Sequence, residues 1–158
     1  MLSPALAAAP RRVPPNTTLK PPEPEVDPLD WVGAIDDEER ILVLGGHGPG
    51  LMCALLRAGA AHVTHLCSRE RPEAGSASLV IVPRVPSFDW LATALPSIRR
   101  ALVANGWLIL RGGTQLNFQV DARRMLALHG FTAIRANNTA EDQVLGATIR
   151  APSIHQNI

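Results

Sequence analysis

Three stretches of the chain are continuously apolar: Ile41 to Leu44, Leu79 to Val82 and Trp107 to Leu110. Runs of that length with no polar alternation predict strands buried on both faces, as in a parallel sheet covered by helices. Helical periods separate them. Leu51 to Ala58 is apolar with a helical stop at Gly59, and Phe88 to Val103 carries apolar side chains at 88, 91, 95, 98 and 102 before Asn105-Gly106. A third helix is predicted over Val120 to His129, closed by Gly130. His62 to Cys67, Phe131 to Arg135 and Gln143 to Arg150 are further strands, and the short connection Asn137 to Asp142 makes the last two an antiparallel hairpin. Asp30 is placed to cap a short helix, Trp31 to Ile35. The alternation predicts a layered α/β domain of about six strands, mostly parallel, with right-handed crossovers and a C-terminal antiparallel pair.

The periodic part occupies residues 29–151. Before it, residues 1–28 hold eight prolines, at 4, 10, 14, 15, 21, 22, 24 and 28, and read as a Pro/Ala-rich extended arm. After it, 152–158 is a polar tail. In the first dozen residues Arg11 and Arg12 follow the apolar stretch and Pro4 and Pro10 interrupt it, the reverse of a secretory signal; a mitochondrial presequence is the alternative.

Charge adds little pull on a partner. Fifteen basic residues against fourteen acidic give a net +1, so nucleic acid is not favoured, and six aromatic residues leave few stacking platforms. No run approaches the ~20 apolar residues of a membrane span. Two cysteines, Cys53 and Cys67, are too few for a disulfide framework and point to a reducing, cytoplasmic setting.

The candidate chemistry lies in Gly45-Gly46-His47-Gly48-Pro49-Gly50, a glycine turn between a buried strand and a helix. Such a turn lets a ligand approach the backbone and leaves amides free at the helix start, at the carboxyl end of the sheet where open α/β folds place their ligands. The competing reading is a tight reversal that only needs small residues. Leu42 to Gly50, with Gly46, Gly48 and Gly50 in a G-x-G-x-G register, resembles the first motif of the class I, Rossmann-like S-adenosylmethionine-dependent methyltransferases. Leu95 to Leu110 is similar to that family's helix, glycine turn and fifth strand, and Leu126 to Arg135 with the hairpin is similar to its ending. The resemblance spans about residues 30–150 and implies a methyltransferase-like three-layer sandwich. Its implied cofactor is S-adenosylmethionine, held by Gly45, Gly46, His47, Gly48, Gly50 and Cys67.

The departures from that family are specific. Leu44 stands where the family carries an acid two residues before the first glycine, and Cys67 stands where a carboxylate would hold the ribose hydroxyls. A thiol is a poor acceptor. Glu70, three residues on, reads as a surface residue in the charge run Arg69-Glu70-Arg71. Only ten residues separate Cys67 from Ser78, fewer than one crossover requires, so the family's third strand is missing. The free edge of the second strand then needs a cover: the arm, the link or another subunit.

Other chemistry finds less support. A nicotinamide fingerprint fails, because its third glycine falls on Leu51 or Cys53, and no Gly-Lys-Ser/Thr follows for a phosphate loop. His62 and His65, three apart on a strand, face opposite ways, so a shared metal is not expected. Cys53 reads as core beside Leu56, and Cys67 as an exposed strand end. Val82-Pro83-Arg84-Val85-Pro86 offers only Arg84, and no catalytic residue is assigned. The chain therefore reads as a truncated, degenerate methyltransferase-like protein that has lost catalysis, a pseudoenzyme acting as a binding or stabilising subunit with a protein partner or a second copy, its cofactor S-adenosylmethionine, bound very weakly, or none. The alternative is an active S-adenosylmethionine-dependent methyltransferase on a small-molecule or protein acceptor.

Overall fold

The computed structural model of the 158-residue chain describes residues 32, 34–67, 69–113, 115–138 and 142–150. The expected arm at 1–28 and tail at 152–158 lie outside them. The elements run β1 (Arg40–Leu44), α1 (Gly48–Arg57), β2 (His62–Leu66), β3 (Ala77–Val82), α2 (Phe88–Ala101), β4 (Leu102–Arg111), α3 (Phe118–Leu128), β5 (Phe131–Asn138) and β6 (Gln143–Ile149). They build one six-stranded sheet in the order β2-β1-β3-β4-β6-β5. β1 pairs in parallel with β2 and β3, β3 in parallel with β4, and β6 runs antiparallel between β4 and β5. The expected final pair is present, and β6 also closes the ladder onto β4.

Strand period 2 sorts the apolar side chains into two cores. Leu42, Leu44, Val80, Val82, Leu108, Leu110 and Leu145 point to the side of α2 and α3, where Leu91, Leu95, Ile98, Phe118, Ala122 and Leu126 meet them, all buried. Ile41, Val43, Leu79, Ile81 and Ile109 point the other way, toward Leu51 and Leu55 of α1. The continuous apolar runs of β1 and β3 follow from this: every residue of each faces one core or the other.

Several boundaries differ from the sequence reading. α1 begins three residues earlier than predicted, because Pro49 in its first turn fits a helix start, where its missing N–H is no loss. Its buried positions are Gly48, Leu51 and Leu55, a phase that leaves Cys53 and Leu56 exposed, so Cys53 is not core. β4 starts at Leu102, directly after α2. Asn105, at φ 61, and Gly106 form an irregularity inside β4 rather than a turn before it, and the pairing with β3 shifts register there. Trp31 and Gly33 lie outside the described residues, while Val32 is in a turn, Ala34 in a bend and Ile35 in irregular backbone instead of the expected helix. So short a segment nucleates poorly, and Val32 and Ile35 gain more by packing on the α1-side core.

The link between β2 and β3 contains neither helix nor strand among its described residues. It is tied instead to the end of α2: Arg100 Nη2 donates to the Pro72 carbonyl at 3.1 Å, and the Gly75 amide donates to the Arg100 carbonyl at 2.9 Å. Pro72 is buried. No described strand pairs with the outer edge of β2.

Candidate functional site

The site is assembled at the carboxyl ends of β1 and β2. Gly45 leaves β1 at φ 91, a conformation L side chains rarely adopt, and its amide donates to the Leu66 carbonyl at 3.2 Å. His47 follows at φ 63 as the N-cap of α1 with no side-chain capping bond. Pro49 supplies no N–H, so the helix start offers an anion one donor fewer than usual.

His65 of β2 turns its ring under this loop. Its Nε2 lies 2.9 Å from the Gly45 carbonyl, and because a carbonyl only accepts, Nε2 is the protonated nitrogen. The same ring lies against Gly48. A Cβ there would stand 2.0 Å from His65 Cδ2, so glycine is required at 48 by packing. Gly46 and Gly50 meet nothing within 4 Å, and neither is demanded by a contact.

At the end of β2 the Cys67 amide donates to Glu70 Oε2 at 3.0 Å. Glu70 is exposed, as expected, but it folds back onto the strand end instead of pointing into solvent. A carboxylate oxygen thus stands 3.0 Å from the backbone nitrogen of Cys67. Leu44 is 7% exposed and belongs to the core, so its side chain offers an approaching ligand no acceptor.

These residues border a cavity of about 350 Å³ lined on one wall by Leu44, Gly45, Cys67 and Glu70, and on the other by Trp90 and Thr93 of α2. Of the six predicted cofactor residues the cavity brings together Gly45 and Cys67. Gly46, His47, Gly48 and Gly50 do not line it. Gly46, His47 and Gly50 are exposed on the turn, and Gly48 is buried against His65. Arg84 is exposed and is not among the lining residues. The sequence reading missed His65 as the packing partner of the turn and Trp90 as a wall. The signal for Trp90 was Ser87, whose Oγ accepts the Trp90 amide at 3.1 Å and so sets the start of α2. Among the described residues no group of three or more His, Cys, Asp or Glu is placed to hold a metal. No described helix is long and apolar enough to cross a membrane.

At this site Gly45 O accepts from His65 Nε2, Glu70 Oε2 accepts from the Cys67 amide, and the side chain at position 44 is apolar.

The fold itself is that of the class I, Rossmann-like methyltransferases. The chain is similar to an S-adenosylmethionine-dependent methyltransferase from Mesorhizobium loti, with a TM-score of 0.58, 11% identity and 76% of this chain aligned over 94% of that one. It is similar to a ribosomal protein L11 methylase from Lactobacillus delbrueckii subsp. bulgaricus, with a TM-score of 0.57, 13% identity and 72% of each chain covered. A third likeness is to the 16S rRNA N2 G1207 methyltransferase of T. Thermophilus in complex with AdoMet and guanosine, with a TM-score of 0.52 and 15% identity, covering 74% of this chain. This chain spans only 37% of the length of that rRNA enzyme. No family model and no curated protein matches the sequence.

Proposed function

We propose that this chain is a methyltransferase-like protein without methyl-transfer activity, a binding or stabilising subunit built on the fold of an enzyme. The observation that carries the reading is that polar groups bordering the cavity are bonded to neighbouring protein groups: Gly45 O accepts from His65, whose ring also fills the space behind Gly48, and Glu70 accepts from the Cys67 amide. Polar groups aimed at a ligand would instead stand open toward the cavity. Losing one well-paired polar contact to a ligand costs about 1–3 kcal/mol, roughly ten- to a hundredfold in affinity, and positions 44 and 67 represent two such losses. The outer edge of β2, with which no described strand pairs, supports a partner chain or a second copy of this one. The two exposed free cysteines support a reducing, cytoplasmic setting.

A second reading, an active methyltransferase on a small-molecule or protein acceptor, is favoured by Glu70 alone. Its carboxylate at the end of β2 is the described acid there that could meet ribose hydroxyls, since Oε2 accepts the Cys67 amide and a carboxylate has a second oxygen to offer. Thermal unfolding with S-adenosylmethionine and S-adenosylhomocysteine separates the two readings. A ligand at about 100 times its Kd stabilises by about 2.7 kcal/mol and would raise Tm by several degrees. The subunit reading predicts an unchanged Tm at millimolar ligand, and a rise of several degrees would select the enzyme.

A further inference from the structure

The charge run Arg69-Glu70-Arg71 and the positions Trp90, Thr93 and Ser97, which recur at helical spacing on one side of α2, all line the cavity of about 350 Å³. Gly45 O and Glu70 are bonded to neighbouring protein groups there, but the two arginines are not. Both side chains are exposed, and among the described residues neither guanidinium has a hydrogen-bond or ion-pair partner. Arg100 donates to the carbonyl of Pro72, a further lining residue, and so brings a third guanidinium to this rim. Against them stands one lining carboxylate, Glu70, which already accepts the Cys67 amide. The cavity is therefore net positive, which draws an anion and repels the sulfonium and ammonium groups of S-adenosylmethionine.

Its walls select further. Trp90 is half-buried, and its Cζ2 would stand 3.9 Å from a Cβ at Gly45, so the indole reaches across to the end of β1 as a flat apolar wall. The Ser97 hydroxyl, about two helical turns further along α2, is also without a hydrogen-bond partner among the described residues. Resting on the reading that this cavity serves no methyl donor, we propose that it takes a small planar aromatic acid, its ring against Trp90 and its carboxylate between Arg69 and Arg71. A guanidinium meets a carboxylate fork to fork, and aromatic rings gain from offset or edge-on contact. The volume lies toward the lower end of the ~300–1,000 Å³ of small-molecule sites, which suits one or two fused rings.

The test titrates the full chain with indoleacetate, with its neutral amide and with cationic tryptamine, three probes that share a ring and differ in charge, and follows the amide signals of Gly45, Thr93 and Ser97. Indoleacetate should bind with a Kd of about 1 mM or below, and the amide about tenfold more weakly, the loss of one charge-assisted contact. Tryptamine should bind more weakly still. Arg69→Gln with Arg71→Gln, two exposed side chains whose loss breaks no protein contact, should bring the acid down to the affinity of the amide, and Trp90→Leu should weaken both together. Equal affinity of acid and amide for the parent would overturn the proposal, as would shifts centred on Trp107 instead. S-adenosylmethionine is titrated in the same spectra. Saturating shifts with it would overturn the functional reading and this proposal with it, whereas silence toward both it and several millimolar indoleacetate would overturn this proposal alone.

Discussion

The imidazole of His65 occupies the space behind Gly48, with Cδ2 and Nε2 at 2.0 and 2.1 Å from where a Cβ would be. A glycine in the middle of the turn between β1 and α1 thus has a packing reason to be there. Gly48→Ala should destabilise the fold by about 1–3 kcal/mol through overpacking, and His65→Ala should relieve most of that cost in the double variant. Gly50→Ala, at a helical position with open space around it, should be neutral or stabilising by up to about 1 kcal/mol. Urea unfolding of the four proteins checks this. Equal effects at 48 and 50 would remove the role given to His65.

Glu70 is set against Cys67 by a hydrogen bond at an exposed strand end. Glu70→Ala should cost no more than about 1 kcal/mol of stability, because water replaces the lost partner. The same substitution should leave the response to S-adenosylmethionine unchanged, since none is expected in the parent. Differential scanning fluorimetry with and without ligand reads both quantities together.

Phe118 is fully buried under Gly112, where a Cβ would stand 2.2 Å from its ring, and it stacks on Phe88 with centroids 6.1 Å apart. It joins α3 to the main core. Phe118→Ala should therefore cost about 3–5 kcal/mol, and Gly112→Ala should also destabilise by forcing the ring aside. Chemical denaturation with an unchanged m-value would establish both as stability effects.

Asp142 pairs with Arg111 across the β4–β6 junction, the carboxylate almost wholly buried and the guanidinium about a third exposed. Asp142→Asn keeps the shape and removes the charge. Its expected cost is about 1–3 kcal/mol, at the lower end because the Arg111 head reaches water once released. Equal stability of the variant and the parent in urea would show the pair to be energetically neutral.

The strands were legible wherever both faces are buried, because Ile41 to Leu44 and Leu79 to Val82 leave no polar position to mistake. Local turn chemistry misled at Asn105-Gly106: the pair marks a kink in β4, not its start, since tertiary pairing with β3 continues on both sides. Helix phase misled at Cys53, where one missing turn at the start of α1 shifts which side chains face inward. At the site, the substitutions at Leu44 and Cys67 were visible in the sequence. The return of Glu70 onto the Cys67 amide was not, because it rests on a local turn in which the Glu70 amide also donates to the Cys67 carbonyl, and nor was the packing of His65 against Gly48, which depends on β2 lying beside β1. Only the paired strands bring residues 45, 48, 65 and 70 together.

Calorimetric titration of the purified chain with S-adenosylhomocysteine tests the central claim most directly, because it reads occupation of the site without needing an acceptor. A site with no acidic side chain at positions 44 and 67 predicts no saturable heat up to millimolar ligand. Micromolar binding that is lost in Glu70→Ala would contradict it, and would make Glu70 a ribose ligand of a working enzyme.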